Sequence, residues 1–308
     1  MLKAKNKSVV IFPGQGAQYP GMGKSLYEAF SSAKEIFSSI DDILGFKLSE
    51  KCFLGSAEEL KDTATQQLAI LAVSLAAFTV FKTKNIEPEY LSGLSLGEYT
   101  CLYAGKVTSL KDLVQLVKAR AQAMQKAAAL NPSTMFAVIG IEPAVLSEKA
   151  NQEGFYLANI NSPQQIVISL AKDKRIKVKE SLGLLGAKVI ELEVSGGFHS
   201  PFMDPAKKEL ERVMENIKFT DSRIPIVSNV TALAHSRSSD IRNNLLNQLT
   251  SPVLWKDCVE FLINKGSQDF FEVGPSKVLK GLMRKINPAV SVTNIEKQED
   301  LAALLEKS

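Results

Sequence analysis

The feature that most constrains this chain is Gly93-Leu94-Ser95-Leu96-Gly97, a G-x-S-x-G run between a short β-like stretch (89–92) and a helical one (98–104). A serine in that pattern sits on a sharp strand-to-helix turn that presents its hydroxyl. The glycines have a steric reason. A residue held in strained φ/ψ needs neighbours without Cβ atoms, so that the turn can close and a substrate can reach the hydroxyl. A chance turn meets the same spacing, but the preceding strand and following helix are the context an elbow requires.

Composition sets outer limits. With 308 residues, 45% hydrophobic and 23% charged, the chain can bury one large core and a smaller one. Cys52, Cys101 and Cys258 are far apart and form no C-x-x-C, so neither a metal site nor a disulfide framework is expected, which fits a reducing cytoplasmic setting. The lysine-rich opening leads only to an apolar run at 9–12 before Pro13. That is too short for a signal peptide and reads as a buried first strand. A net charge of +4 permits an acidic partner or a phosphorylated substrate without implying nucleic acid.

Beyond that strand comes Pro13-Gly14-Gln15-Gly16-Ala17-Gln18. Tyr19 stands where a dinucleotide fingerprint would need its third glycine, so that reading is rejected. What remains is a flexible loop able to aim backbone N–H groups and Gln15 into a cleft, or a plain turn. A helix from about 24 carries Leu26, Phe30, Ala33, Phe37 and Ile40 as a core stripe, and Ser56 with Glu59 forms a capping box for a short helix. A long apolar helix over 66–84 begins with Gln66 and Gln67, which either cap it or face the cleft. Ser109 and Asp112 cap a further helix reaching about 128, where Leu113, Val117, Arg120 and Met124 share a face. An arginine on an apolar stripe either snorkels to the surface or is buried and must be paired. Its planar fork suits a carboxylate held by two parallel hydrogen bonds.

From 135 the pattern changes. Strand 135–139, helix 143–151, strands 155–160 and 165–170, helix 173–185 and strand 188–194 give β-α-β-β-α-β, a ferredoxin-like order. Residues 131–198 are thus expected as a small inserted domain. Its second helix carries Lys172, Lys174, Arg175, Lys177 and Lys179, a solvated face or a landing site for an acidic protein. The last third alternates helices (203–217, 241–249, 253–265, 277–286) with strands (224–230, 269–273, 289–293). That rhythm indicates a parallel sheet covered by helices, a large α/β domain over 1–130 and 199–308. The two histidines are His199, among glycines at a strand end, and His235, in what reads as an exposed loop; His199 is the favoured base for Ser95.

The blocks Gly14-Gln15-Gly16-Ala17-Gln18, Gly93-Leu94-Ser95-Leu96-Gly97-Glu98-Tyr99, Arg120, Gly197-Phe198-His199-Ser200 and Phe271-Glu272-Val273-Gly274-Pro275 together resemble the malonyl-CoA:acyl carrier protein transacylases, over nearly the whole chain. The resemblance implies an α/β-hydrolase-like large domain. It also implies ping-pong transfer of a malonyl group from malonyl-CoA to an acyl carrier protein, in fatty acid synthesis, with no cofactor, metal, nucleic acid or membrane. By the same resemblance Ser95 is the nucleophile, His199 the base and then acid, and Arg120 the carboxylate grip. The amides of Gln15 and Leu96 form the oxyanion hole. The carbonyl of Gln248 orients the histidine, so no aspartate is needed; Asp204 is the nearest alternative along the chain. Gln67 and Asn161 match substrate-side positions, with Leu68 where proline is usual, and Phe198 suggests a pocket too crowded for a branched acyl group.

One departure stands beside the serine: Leu94 occupies a position that is commonly histidine, and leucine makes no hydrogen bond. Two rivals share some of these features. A serine esterase or thioesterase has the elbow and the histidine but no use for a buried arginine. A noncatalytic carrier-binding module needs only the basic charge.

Overall fold

The computed structural model describes residues 7–305; the lysine-rich opening (1–6) and the last three residues lie outside it. The chain starts β1 (Lys7–Phe12), α1 (Lys24–Ala29), α2 (Ser31–Leu44), α3 (Leu48–Leu54), α4 (Thr63–Phe81), β2 (Tyr90–Gly93), α5 (Leu96–Ala104) and α6 (Leu110–Leu130). It continues β3 (Ser133–Ile139), α7 (Pro143–Glu153), β4 (Tyr156–Ser162), β5 (Gln165–Ala171), α8 (Arg175–Leu184) and β6 (Lys188–Glu191). It closes with α9 (Asp204–Met214), β7 (Ile226–Val227), β8 (Ala234–His235), α10 (Ser238–Gln248), α11 (Trp255–Asn264), β9 (Ser267–Val273), α12 (Val278–Ile286), β10 (Ser291–Ile295) and α13 (Gln298–Leu305).

Two sheets result. The larger has the order β10-β9-β1-β2-β7-β8, parallel throughout except for the antiparallel β7–β8 edge. The smaller is antiparallel, in the order β4-β5-β3-β6, and has its own core of Phe136, Leu146, Ile168 and Leu182. A parallel bridge from Asn159 to Val253 ties the smaller sheet to the segment before α11.

The axis of the larger body is α4. A helix apolar on every side must be covered on every side, and α4 packs against α2, α5, α6 and β9. By length and hydropathy, Thr63–Lys84 could cross a membrane, but 83% of that window is buried inside the protein. Its N-terminus is capped by Asp62, whose carboxylate accepts from the Thr65 amide at 2.9 Å.

Several sequence expectations change. The stripe from Leu26 to Ile40 spans two helices, because Phe30 is extended (φ −131°) and redirects the chain while leaving Phe37 and Ile40 on the core. Ser56 and Glu59 do exchange capping bonds, but the residues after them form turns, since Asp62 already starts α4. His235 is not in a loop; it pairs with Ile226 on the edge strand β8. The expected strand 224–230 shrinks to Ile226–Val227, because the Asn229 amide turns away to bond the Glu98 carboxylate at 3.0 Å.

Candidate active site

The elbow forms where β2 meets α5. A Cβ on Gly93 would lie 2.1 Å from the Gly97 carbonyl carbon, and one on Gly97 would lie 2.1 Å from the Phe12 oxygen of β1. Only glycine allows this turn to close against the neighbouring strand. Ser95 is held at φ 52°, ψ −102°, a region costly for a residue with a side chain. Its backbone is clamped by Asn229, which accepts from the Ser95 amide at 2.7 Å and donates to the Gly93 carbonyl at 2.8 Å.

His199 also has a positive φ (55°). Its loop is moored to the smaller sheet: Ser133 Oγ accepts from the Gly197 amide at 2.7 Å, and Ser169 Oγ donates to the Phe198 carbonyl at 2.6 Å. His199 Nδ1 donates to the Gln248 carbonyl at 2.7 Å and Nε2 faces Ser95 Oγ at 2.8 Å. A carbonyl only accepts, so the proton belongs on Nδ1 and Nε2 is free to take one from the serine. Burial first, and the Arg120 charge second, push the imidazole down to about 4 from 6.5. It is therefore neutral at pH 7.

Arg120 comes from α6 and is 1% exposed. Nη1 donates to Gln67 Oε1 at 2.6 Å, while Nη2 donates to Ser95 Oγ at 3.0 Å and Gln248 Oε1 at 3.2 Å. The guanidinium carbon lies 4.8 Å over the Tyr99 ring, and Nε has no hydrogen-bond partner among the described residues. Among those residues Arg120 makes no salt bridge; the carboxylate of Glu98 is instead bonded by Gln248 Nε2 at 2.7 Å and the Asn229 amide at 3.0 Å. Burial raises Glu98 to about 7, opposed by those two bonds. Gln67 is wholly buried against Arg120 and does not cap α4; that role falls to Asp62.

A cleft of about 470 Å³ opens over the serine between the two sheets, walled by Gln15, Leu94, Ser95, Asn161, Phe198 and His199. Asn161 Oδ1 is buried there without a partner among the described residues. The Leu96 amide is the first of α5 and so has no intrahelical acceptor. Neither it nor the Gln15 amide bonds any described residue. Asp204 opens α9 and takes no part in orienting His199. No group of three or more His, Cys, Asp or Glu among the described residues could hold a metal.

The structure thus gathers Ser95, His199, Arg120, Gln67 and Gln248 into one bonded network, with Gln15, Asn161 and Phe198 on the cleft wall. Sequence reasoning missed Asn229, Glu98 as the anchor of the Gln248 side chain, Ser133 and Ser169. Only Glu98 carried a signal, by adjoining the elbow.

The arrangement provides a hydroxyl bonded to an imidazole beside a buried cation that makes no salt bridge among the described residues, suited to acyl transfer from a substrate that carries an anion. Comparison with known proteins agrees. The family described as "Acyl transferase domain" matches residues 9–304. A malonyl CoA-acyl carrier protein transacylase of Bacillus subtilis (strain 168) is 39% identical over 98% of this chain and 97% of its own length. One from Staphylococcus aureus (strain MRSA252) is 37% identical over 96% and 97%. Among solved structures, the malonyl CoA-acyl carrier protein transacylase of Clostridium perfringens superposes with a TM-score of 0.93 at 34% identity, covering 98% of this chain and 96% of the other. A malonyl-transacylase in complex with a type II PKS acyl-carrier protein gives 0.93 at 33%, covering 98% and 100%.

Proposed function

The chain belongs to the acyl transferase domain family, and we propose that it moves a malonyl group from malonyl-CoA to the phosphopantetheine thiol of an acyl carrier protein by way of a malonyl ester on Ser95. The observation that carries this reading is the Arg120 guanidinium, buried without a salt bridge among the described residues, 3.0 Å from the Ser95 hydroxyl. A buried cation left unpaired is costly, so a substrate carboxylate at that place is strongly favoured over none.

In the first half-reaction Ser95 Oγ attacks the thioester carbon and gives its proton to His199 Nε2. The oxyanion is met by the amides of Gln15 and Leu96, the latter at the positive end of α5. Collapse breaks the carbon–sulfur bond, and His199 returns the proton to the departing CoA sulfur. The carrier thiol then attacks the ester, His199 takes its proton, and Ser95 leaves as the alcohol. The Gln248 carbonyl keeps the ring in the tautomer both halves need, and no cofactor enters. Gln67 positions Arg120, while Asn161 Oδ1 accepts from an amide N–H of the pantetheine arm.

Leu94 gives the substrate an apolar contact only. Phe198 narrows the cleft against a branched methylmalonyl group, and equal transfer rates for the two acyl-CoAs would remove that reading. The larger body reads as α/β-hydrolase-like, because its serine elbow joins a parallel strand to a helix. Residues 131–198 read as a ferredoxin-like unit, because their β-α-β-β-α-β order folds into one antiparallel sheet. We place the enzyme in the cytoplasm, in fatty acid synthesis, on its buried free cysteines and the pathway the substrates suggest. Intact mass after mixing with malonyl-CoA tests the central reading. One malonyl adduct, absent in Ser95→Ala, is expected; immediate release of the acyl group to water would indicate a hydrolase.

A further inference from the structure

Ser95 stands at the N-terminus of α5, yet its side chain caps nothing there. Its Oγ is turned to His199 and Arg120 instead, so the strained backbone that aims it must be held from elsewhere. The neighbouring strand does not supply the hold, because β7 meets β2 at Leu91 and Ile226 and ends at Val227. Beyond that point the Asn229 side chain takes the strand's place. Its single amide group donates to the Gly93 carbonyl at 2.8 Å and accepts from the Ser95 amide at 2.7 Å, as a parallel-strand residue opposite Leu94 would. Gln248 Nε2 approaches the same Oδ1 at 3.3 Å, which fixes the way the amide faces. Asn229 is wholly buried, and its own main chain is held by Glu98 at 3.0 Å and by the Leu254 amide at 2.8 Å.

We propose that Asn229 is a positioning residue for acyl transfer, holding Ser95 in the backbone geometry that points Oγ at His199 and the Leu96 N–H at the oxyanion. The proposal rests on the malonyl-transfer reading above. The Leu96 N–H belongs to the peptide that follows Ser95, so a rotation of the Ser95 backbone displaces the nucleophile and an oxyanion donor together. Asn229 acts through that backbone and touches no reacting atom. Arg120 bonds Gln67, Ser95 and Gln248 but not Asn229, so the carboxylate grip does not depend on it.

The test uses the full chain as Asn229→Leu and Asn229→Asp. Leucine keeps the volume and makes neither hydrogen bond. A neutral aspartic acid makes both, since its O–H donates where the amide did, whereas an ionised one only accepts. Glu98 of α5 faces this position, with the Cys258 thiol of α11, which burial keeps neutral, and, beyond Gln248, Arg120 of α6. Rapid-quench mass spectrometry of malonyl-enzyme formation reads the acylation rate separately from the fraction of protein that reacts. In Asn229→Leu the rate is expected to fall about a hundredfold, the effect of a displacement of about 1 Å, with half-saturation by malonyl-CoA unchanged. In Asn229→Asp most of the rate is expected to return at about pH 6 and to be lost, relative to the unaltered protein, by about pH 9 as the carboxyl ionises. A role in stability alone predicts a smaller reactive fraction at an unchanged rate. That result in Asn229→Leu would overturn the proposal while leaving malonyl transfer intact. Should Asn229→Leu not fold, Asn229→Asp decides, and a constant ratio to the unaltered protein across that pH range would overturn it. No malonyl adduct on the unaltered protein would overturn the transfer reading, and the proposal with it.

Discussion

The backbone carbonyl of Gln248 stands 2.7 Å from His199 Nδ1, in the place where many serine enzymes set a carboxylate. A carbonyl fixes the tautomer but brings no negative charge, so its hydrogen bond raises the imidazole less than burial and the neighbouring Arg120 lower it.

Because the orienting atom is main chain, substituting the Gln248 side chain leaves that contact in place. It does remove one of the two donors to Glu98 and one acceptor of Arg120. Gln248→Leu is expected to cost about 1–3 kcal/mol of stability from the unpaired buried groups, read by urea denaturation. Its transfer rate should stay within about tenfold, while His199→Ala loses roughly 10⁴ or more.

Arg120→Ala should strike malonyl transfer far harder than acetyl transfer. A site built around a polar partner can discriminate by roughly 10⁴, and that preference should largely collapse. Acylation rates with the two acyl-CoAs are the measurement; an unchanged ratio would defeat the carboxylate role.

With His199 at about 4, the acid limb of kcat/KM should fall near pH 4 and not near 6.5. In Arg120→Gln the limb should move upward yet stop short of 6.5, since burial, the larger cause, persists.

The same histidine affects stability. The unfolded chain takes up this proton near 6.5 and the folded one near 4. The histidine's contribution is thus full above 6.5 and is lost as pH falls through that window. Glu98 acts oppositely. Raised from 4.5 to about 7, its contribution is full below 4.5 and is lost as pH rises through 7. Glu98→Gln should therefore expose a steeper rise in the urea midpoint between pH 4 and 6.5 than the parent shows.

Ser276 is held at φ 70°, where only glycine is unstrained. Ser276→Gly keeps the amide that bonds Glu296 at 2.7 Å and should gain about 0.5–1 kcal/mol, seen as a higher melting temperature.

Much of this was legible in the sequence, for identifiable reasons. The elbow needs its glycines locally, an all-apolar helix such as α4 can only be central, and one of two histidines had to serve Ser95 if it is a nucleophile. Asn229 and Ser169 left no such trace. Ser95 is 134 residues from Asn229 along the chain, and no periodicity links them. The strand expected at 224–230 misled for the same reason: apolar residues signalled a ladder, but the Asn229 amide was taken by Glu98 across the fold. Phe30 carried no breaker chemistry, so the bend between α1 and α2 was invisible.

The mooring of the His199 loop to Ser133 and Ser169 means that His199 rides on one sheet and Ser95 on the other. The gap between their reacting atoms is then a gauge of how the two halves are seated. A displacement of about 1 Å in such a pair can cost a hundredfold in rate. Substitutions at the Asn159–Val253 seam, where Asn159 itself lines the cleft, should dim turnover by changing how the two halves are seated.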